Sequence, residues 1–366
     1  MITRGAVFRS IGNPLEIGDL ELLPPRAGEV RVRYVASGLC HSDLHVMDGT
    51  MGHPAPAVLG HEGAGIVEEV GEGVRRVSPG DHVLTSYQPS CGRCRYCVIG
   101  RPNLCDLRTA PRHVMPDGTS RLRTATGEEV FHFLQVSSHA EHGVLPEECL
   151  VPIRRDAPLD LVCLISCGVA TGVGAVINRA KVTPGSTVAV IGCGGVGLAA
   201  VQAASLAGAA KIVAIDRLEH KRAAAEEFGA THTVDAVGDE VVERVRDICG
   251  GDGADYCIEA VGLPVTIETA FDCVHRGGMV VVAGVAPDGS RISIDPRMLL
   301  QEKILTGTSF GSSRQQVDLP MLVDLFMDGR LRLRELVSRQ IDLTGINDAY
   351  TRMRTGDVRR DVLLYG

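Results

Sequence analysis

Thr187-Val188-Ala189-Val190-Ile191-Gly192-Cys193-Gly194-Gly195-Val196-Gly197 reads as a buried apolar strand that runs into a glycine loop. Leu198 to Ala207 follows with helical character, and Lys211-Ile212-Val213-Ala214-Ile215-Asp216 is a second apolar strand. A lone G-x-G-x-x-G pattern is weak. Here it follows a strand, opens a helix and precedes a strand that ends in an acid, the context a dinucleotide site requires. Gly192, Gly194, Gly195, Val196 and Gly197 let backbone N–H groups approach a pyrophosphate at the helix N-terminus. Asp216, nineteen residues after Gly197, is placed to accept hydrogen bonds from ribose hydroxyls and to repel a 2′-phosphate. That predicts NAD rather than NADP. Arg217 beside it favours a phosphate, and Lys221 one turn further on reaches the ribose.

Outward from this motif, short strands alternate with helices. Thr233-Val234-Asp235, Asp255 to Ala260, Met279 to Gly284 and Ile304 to Thr308 read as strands; 239–249 and 265–274 read as helices. Six strands in this order predict a doubly wound parallel sheet. Cys193, Cys249, Cys257 and Cys273 fit there as small packed residues.

Upstream, from Met1 to about Ala170, the pattern changes to short strands and turns. Val30 to Val35 alternates with period two, and 65–71 and 80–84 read as further strands, which predicts an antiparallel, barrel-like β region. Gly60-His61-Glu62-Gly63-Ala64-Gly65 places an imidazole beside a carboxylate in a glycine-rich turn. Cys40-His41-Ser42-Asp43-Leu44-His45 reads as a polar loop offering a thiolate, a hydroxyl and a carboxylate able to take a ring N–H from a ligating histidine. Cys163 and Cys167 would share a face of one helix; Cys167, beside Gly168 and Thr171-Gly172, is the better ligand candidate.

Cys91, Cys94 and Cys97, with Cys105 eight positions on, have the spacing of a closed tetrahedral zinc site, which leaves no position for substrate and is therefore structural. A nucleic-acid-binding zinc ribbon is the rival; Arg93, Arg95 and Arg101 favour it, and the net charge of -8 counts against it. His113, His132, His139 and His142 lie in a loop-rich segment and read as surface or capping residues with no role. Twelve cysteines without a secretion signal point to metal ligands and packed thiols in the cytoplasm. No apolar run approaches the ~18 residues of a membrane span.

On these motifs the chain resembles the zinc-dependent medium-chain alcohol dehydrogenases over essentially its whole length. Gly60-His61-Glu62-x-x-Gly65, with Gly71 and Val74, matches that family's zinc signature, and the four-cysteine lobe and glycine loop match in the same order. The resemblance implies a GroES-like β-barrel catalytic domain over 1–169 with the zinc lobe at 91–105. It implies a Rossmann NAD-binding domain over 170–311 and a C-terminal return, 312–366, to the first domain, with the active site in the cleft between them. It implies Cys40, His61 and Cys167 as ligands of a catalytic zinc with one open position, so two zinc ions per chain. Asp43 matches the carboxylate that orients the histidine ligand, Glu62 the glutamate behind the metal, and Ser42 and His45 the ends of a proton relay through a cofactor ribose. Tyr87 matches an aromatic against the substrate. Thr171, Val285 and Phe310 match cofactor contacts, and Arg360 a pyrophosphate-binding arginine. His41 departs from the arginine of many relatives and would hold phosphates less firmly.

The function so implied is reversible oxidation of primary aliphatic or aryl alcohols to aldehydes, in a homodimer that binds neither nucleic acid nor membrane. Alternatives are a thiol-dependent formaldehyde dehydrogenase, a nicotinoprotein with permanently bound NAD, or a zinc-stabilised binding protein. Thr50-Met51-Gly52-His53-Pro54-Ala55 lacks the acidic residues that relatives use for glutathione, which leaves another thiol such as mycothiol.

Overall fold

The structure, a computed structural model, describes residues 1–238 and 240–366. Met1–Cys167 and Arg314–Gly366 form one compact unit and Gly168–Ser313 another, against the 169/170 and 311/312 divisions expected from the sequence.

In the first unit five short strands close a barrel: Ile2–Phe8, Glu16–Leu22, Leu122–Thr124, Glu129–His132 and Ala57–Val58. A seven-stranded sheet centres on Glu29–Gly38, which pairs with Glu62–Val70, His142–Pro146 and Arg360–Leu364. Alternate residues of the central strand, Val30, Val32 and Tyr34, are buried against Val67, Val83, Leu145 and Leu150, as the period-two pattern requires.

The barrel region is not wholly antiparallel. Val337–Ile341 runs parallel to Arg360–Leu364, and Ala57–Val58 parallel to Glu129–His132. The first pair is a strand–helix–strand unit: the helix Ile346–Thr355 supplies the crossover that parallel neighbours need. That helix buries Ile346, Ala349, Tyr350 and Met353 against Leu39, Leu44, Met47 and Phe133.

Three local expectations are corrected. His41–Met47 is a helix, not a loop, with Cys40 in extended conformation at its N-cap. Most of the 60–65 turn is strand, since Glu62–Val70 pairs along Glu29–Gly38; Gly60, at φ 88°, makes the turn before it. Cys163 and Cys167 do not share a helix. Cys163–Ser166 is a 3-10 turn, and at Cys167 (φ -147°, ψ -77°) the chain breaks before Gly168–Gly174.

The second unit is a six-stranded, all-parallel sheet in the spatial order His232–Asp235, Lys211–Asp216, Thr187–Ile191, Ala254–Glu259, Val274–Val282, Ile304–Gly307. The helix Gly195–Leu206 follows the glycine loop. A Cβ at Gly197 would collide with the Gly192 carbonyl, so glycine is what lets that helix start so close to the strand. Asp239, where the sequence reading starts a helix, lies outside the described residues; the helix runs Val241–Ile248. Cys193, Cys257 and Cys273 are buried and Cys249 half-buried.

Candidate metal centres and nucleotide site

Asp43 fixes the first centre. It lies on the first turn of the His41–Met47 helix, is fully buried, and takes the Cys40 N–H at 3.3 Å on Oδ2. Its Oδ1 takes the Gly60 N–H at 2.9 Å and faces His61 Nδ1 at 3.1 Å. Helix start and ligand strand are thus pinned to one carboxylate, which holds the proton on Nδ1 and leaves Nε2 as the free lone pair. Thr85 Oγ1 accepts the Gly63 N–H at 2.9 Å, and Ser166 Oγ donates to the Gly63 carbonyl at 3.0 Å, tying that strand to the segment that carries Cys167.

The donor atoms of Cys40, His61, Glu62 and Cys167 converge within 4.8 Å of one another, all four residues buried. The hydrogen bond from Cys167 holds the Cys40 thiol well below its ordinary range, and the same bond, with burial, pushes Cys167 well above it. For His61, burial opposes a charge, but Asp43 and Cys40 outweigh it and raise the imidazole. Two sulfurs and an imidazole crowded at one point, with the second ring nitrogen committed to a carboxylate, fit tetrahedral zinc. Glu62 is pushed up to about 7 by burial, against the pull of Arg360, with which it forms a buried ion pair.

Around this centre, Ser42 Oγ lies 3.8 Å from Cys40 Sγ, and His45 follows one turn along the same helix, half-buried. His41 is exposed, its ring 6.4 Å from that of His45. Tyr87 meets the His61 ring edge-on at 5.5 Å, and Phe133 does so at 5.6 Å. Phe133 was not among the sequence candidates, and nothing in its local spacing marks it. Nor were His132 and His139 surface residues: both are buried, with burial holding them down at about 3 and about 4. Arg360, matched by resemblance to a pyrophosphate ligand, lies in this unit against Glu62.

The second centre is the lobe Cys91, Cys94, Cys97 and Cys105, whose sulfurs also lie within 4.8 Å of one another. Backbone N–H groups point at them: Cys94 N to Cys91 Sγ at 3.3 Å, Cys91 N to Cys105 Sγ at 3.4 Å. Such donors suit thiolates around a metal. Arg76 donates to the Ser90 carbonyl at 2.5 Å and Arg112 to the Tyr87 carbonyl, fastening the chain that enters the lobe.

In the second unit Gly192, Gly194, Gly195, Val196 and Gly197 form the strand-to-helix loop. Asp216 stands at the end of its strand; it accepts from Cys193 N and Leu218 N, each at 2.9 Å. Arg217 is exposed, Lys221 half-buried, and Arg222 donates to the Asp216 carbonyl at 2.7 Å. Thr171, buried with its hydroxyl unpaired, exposed Val285 and buried Phe310 belong to the same unit.

Two family profiles match the chain: "Alcohol dehydrogenase GroES-like domain" over residues 26–155 and "Zinc-binding dehydrogenase" over 195–327. An S-(hydroxymethyl)glutathione dehydrogenase of Paracoccus denitrificans is 41% identical, each chain covered over 100% of its length. A class-3 alcohol dehydrogenase of Cereibacter sphaeroides is 40% identical, also over 100% of both. Among solved structures, benzyl alcohol dehydrogenase of Acinetobacter calcoaceticus superposes with a TM-score of 0.94 at 32% identity, covering 100% of both chains. A zinc-binding domain alcohol dehydrogenase protein of Burkholderia ambifaria does so at 0.96 and 38%, covering 100% of this chain and 99% of the other.

Proposed function

The chain belongs to the zinc-dependent medium-chain alcohol dehydrogenase family, and from that premise we propose that it oxidises the S-(hydroxymethyl) adduct of formaldehyde and a small thiol with NAD. It is an oxidoreductase whose cofactors are zinc and NAD. The observation that carries the adduct reading is full-length identity of 41% to an S-(hydroxymethyl)glutathione dehydrogenase. This ranks above the plain primary alcohols that the sequence suggests first. The 0.94 superposition with a benzyl alcohol dehydrogenase supports aryl alcohols as a second substrate class. The segment 50–55 offers no carboxylate, which favours a thiol other than glutathione.

Zinc supplies a Lewis-acid position that eases loss of a hydroxyl proton, and NAD supplies the hydride acceptor. Cys40, Cys167 and His61 Nε2 hold the metal, and Asp43 orients His61. Ser42 relays the substrate hydroxyl proton, accepting it at Oγ as it passes its own O–H proton on, and His45 delivers a proton to solvent. Tyr87 and Phe133 shape the apolar wall beside His61. Asp216 selects the ribose without a 2′-phosphate.

A homodimer fits the second unit, where the edge strand Ile304–Gly307 follows a Leu300 that is 87% exposed. A reducing, cytoplasmic setting fits twelve free cysteines. Among the described residues no single helix is long and apolar enough to cross a membrane.

The test is NADH formation by purified protein. Substrates are formaldehyde with glutathione, formaldehyde with mycothiol, and benzyl and aliphatic alcohols without thiol. Activity that requires formaldehyde plus a thiol upholds the adduct reading. Turnover of plain alcohols alone returns the assignment to an ordinary alcohol dehydrogenase. Silence throughout with two zincs present points to permanently held NAD.

A further inference from the structure

Glu259 ends the strand Ala254–Glu259 and is fully buried there, beside Thr187–Ile191, the strand that feeds the glycine loop. Its Oε1 accepts the Val261 N–H at 2.9 Å and the Gly262 N–H at 2.7 Å, and the Thr266 hydroxyl lies 2.8 Å away. Its Oε2 is buried and has no partner among the described residues. Its backbone carbonyl accepts the N–H groups of Ala283 and Gly284, at 2.8 and 3.1 Å. One residue therefore ties the turn after its own strand to the turn after Val274–Val282.

Those turns have no slack. Gly262 has φ 88°, and a Cβ there would lie 2.5 Å from the Val285 carbonyl oxygen. A Cβ at Gly284 would collide with Gly262 N, and one at Gly192 would lie 2.6 Å from Val261 Cγ2. The turn that Glu259 holds thus touches the glycine loop on one side and 284–285 on the other. Val261 and Val285 are both exposed, an apolar pair at the C-terminal edge of a parallel sheet, where such sheets bind ligands.

The strand order decides which half of a dinucleotide meets this turn. Asp216, read as the partner of the adenosine ribose, ends the strand on one side of Thr187–Ile191, and Glu259 ends the strand on the other. A pyrophosphate at the glycine loop between them sends the nicotinamide half toward Val261 and Val285. We propose that Glu259 is a positioning residue for the nicotinamide half of the cofactor: its carboxylate fixes the Val261–Gly262 turn, and through it the placing of Gly192 and Val285. The inference rests on the reading of the glycine loop and Asp216 as an NAD site. The plain alternative is a cap for the helix Pro264–Cys273. Thr266 already serves there by accepting the Leu263 N–H at 3.2 Å, whereas the two N–H groups that Glu259 holds precede the helix.

The experiment is calorimetric titration of the full-length, zinc-loaded protein with NADH and with AMP, which carries the adenosine half alone. Glu259→Met fills much the same space and removes the acceptors. Its NADH affinity should fall by about 10–100-fold, the scale on which a misplacement of about 1 Å acts, with AMP affinity unchanged. Glu259→Gln keeps an accepting oxygen and should recover most of the NADH affinity. Thr266→Val should show the same selective loss, but smaller. Asp216→Ala, the control, should weaken AMP and NADH together.

Unchanged NADH affinity in Glu259→Met would overturn the proposal. Equal loss of NADH and AMP would overturn it too, as simple loosening of the unit, and so would a Glu259→Gln variant no better than Glu259→Met. A wild-type protein that binds no NADH, or an Asp216→Ala variant that binds AMP like wild type, would instead remove the NAD-site reading beneath it. If Glu259→Met does not fold, Thr266→Val decides: unchanged NADH affinity there is the negative result.

Discussion

Ser42 and Asp43 are neighbours on one short helix with opposite surroundings: Asp43 is fully buried among backbone donors, while Ser42 is partly open and 3.8 Å from a ligand sulfur. On the proposed function the first orients the metal ligand and the second moves a proton. Ser42→Ala should therefore lower turnover by about 10²–10⁴-fold, the usual weight of a proton-transfer group, while metal analysis still finds two zincs per chain. Near-normal turnover would remove Ser42 from the proton path. His132 gives a prediction in pH. Its Nε2 accepts the Arg121 N–H at 3.0 Å, and Ser137 Oγ lies 3.4 Å from Nδ1. Burial first, then Arg121, lowers it to about 3. The folded pKa lies below the unfolded value of about 6.5, so between them the unfolded chain binds more protons and stability falls with falling pH, by at most about 1.4 kcal/mol per unit. Urea unfolding at pH 7 and pH 5 should show that loss in the wild type and less of it in His132→Gln. An equal loss in both would assign the pH dependence to other groups. Neither buried histidine was legible in the sequence, because burial comes from partners far along the chain; Tyr350, for one, is 211 positions from His139.

At the scale of elements, the strand Glu29–Gly38 carries a constraint at its last residue. A Cβ at Gly38 would strike the Glu62 carboxylate and come within 3.2 Å of Arg360 Nη2. Both are buried, and their ion pair lies directly against that backbone. Gly38→Ala should thus force the pair apart and destabilise the unit by about 1–3 kcal/mol, the usual cost of overpacking. Urea unfolding measures this; a variant within about 0.5 kcal/mol of wild type, the range for harmless surface changes, would mean the pair yields freely. Legibility at this scale followed length and periodicity. Thr187–Ile191, the glycine loop and Gly195–Leu206 could be read locally, because each is regular and punctuated by glycine. His41–Met47 could not: it has seven residues, and its N-cap is a cysteine rather than a hydroxyl or carboxamide. The break at Cys167 was equally hidden, since Leu161 to Ala170 is apolar but for Ser166 and contains no proline.

At the scale of the molecule, what holds each part differs, and the zinc lobe is the extreme case. The first unit closes through Val362 opposite Gly38, a pairing across most of the chain that only the family resemblance foretold. The sheet core and the Ile346–Thr355 helix secure that closure by apolar burial. The lobe has no such core. Within 91–105, Asn103 and Cys105 are the buried residues among those described, while Tyr96, Val98 and Ile99 are 38%, 72% and 57% exposed. With so little apolar burial, the proposed sulfur–metal bonds are what would order it, and metal binding there would be local folding free energy. Four-cysteine spacing made this site readable without any fold, because the ligands lie within one short loop. Cys97→Ser should therefore empty the lobe and abolish amide hydrogen-exchange protection across 91–105. Protection in Glu29–Gly38 and the zinc at Cys40, His61 and Cys167 should persist. If the lobe amides stay protected without metal, its packing carries the order and the metal is secondary. If the catalytic zinc leaves as well, the lobe supports the Tyr87 segment it follows, which Arg112 fastens through the Tyr87 carbonyl.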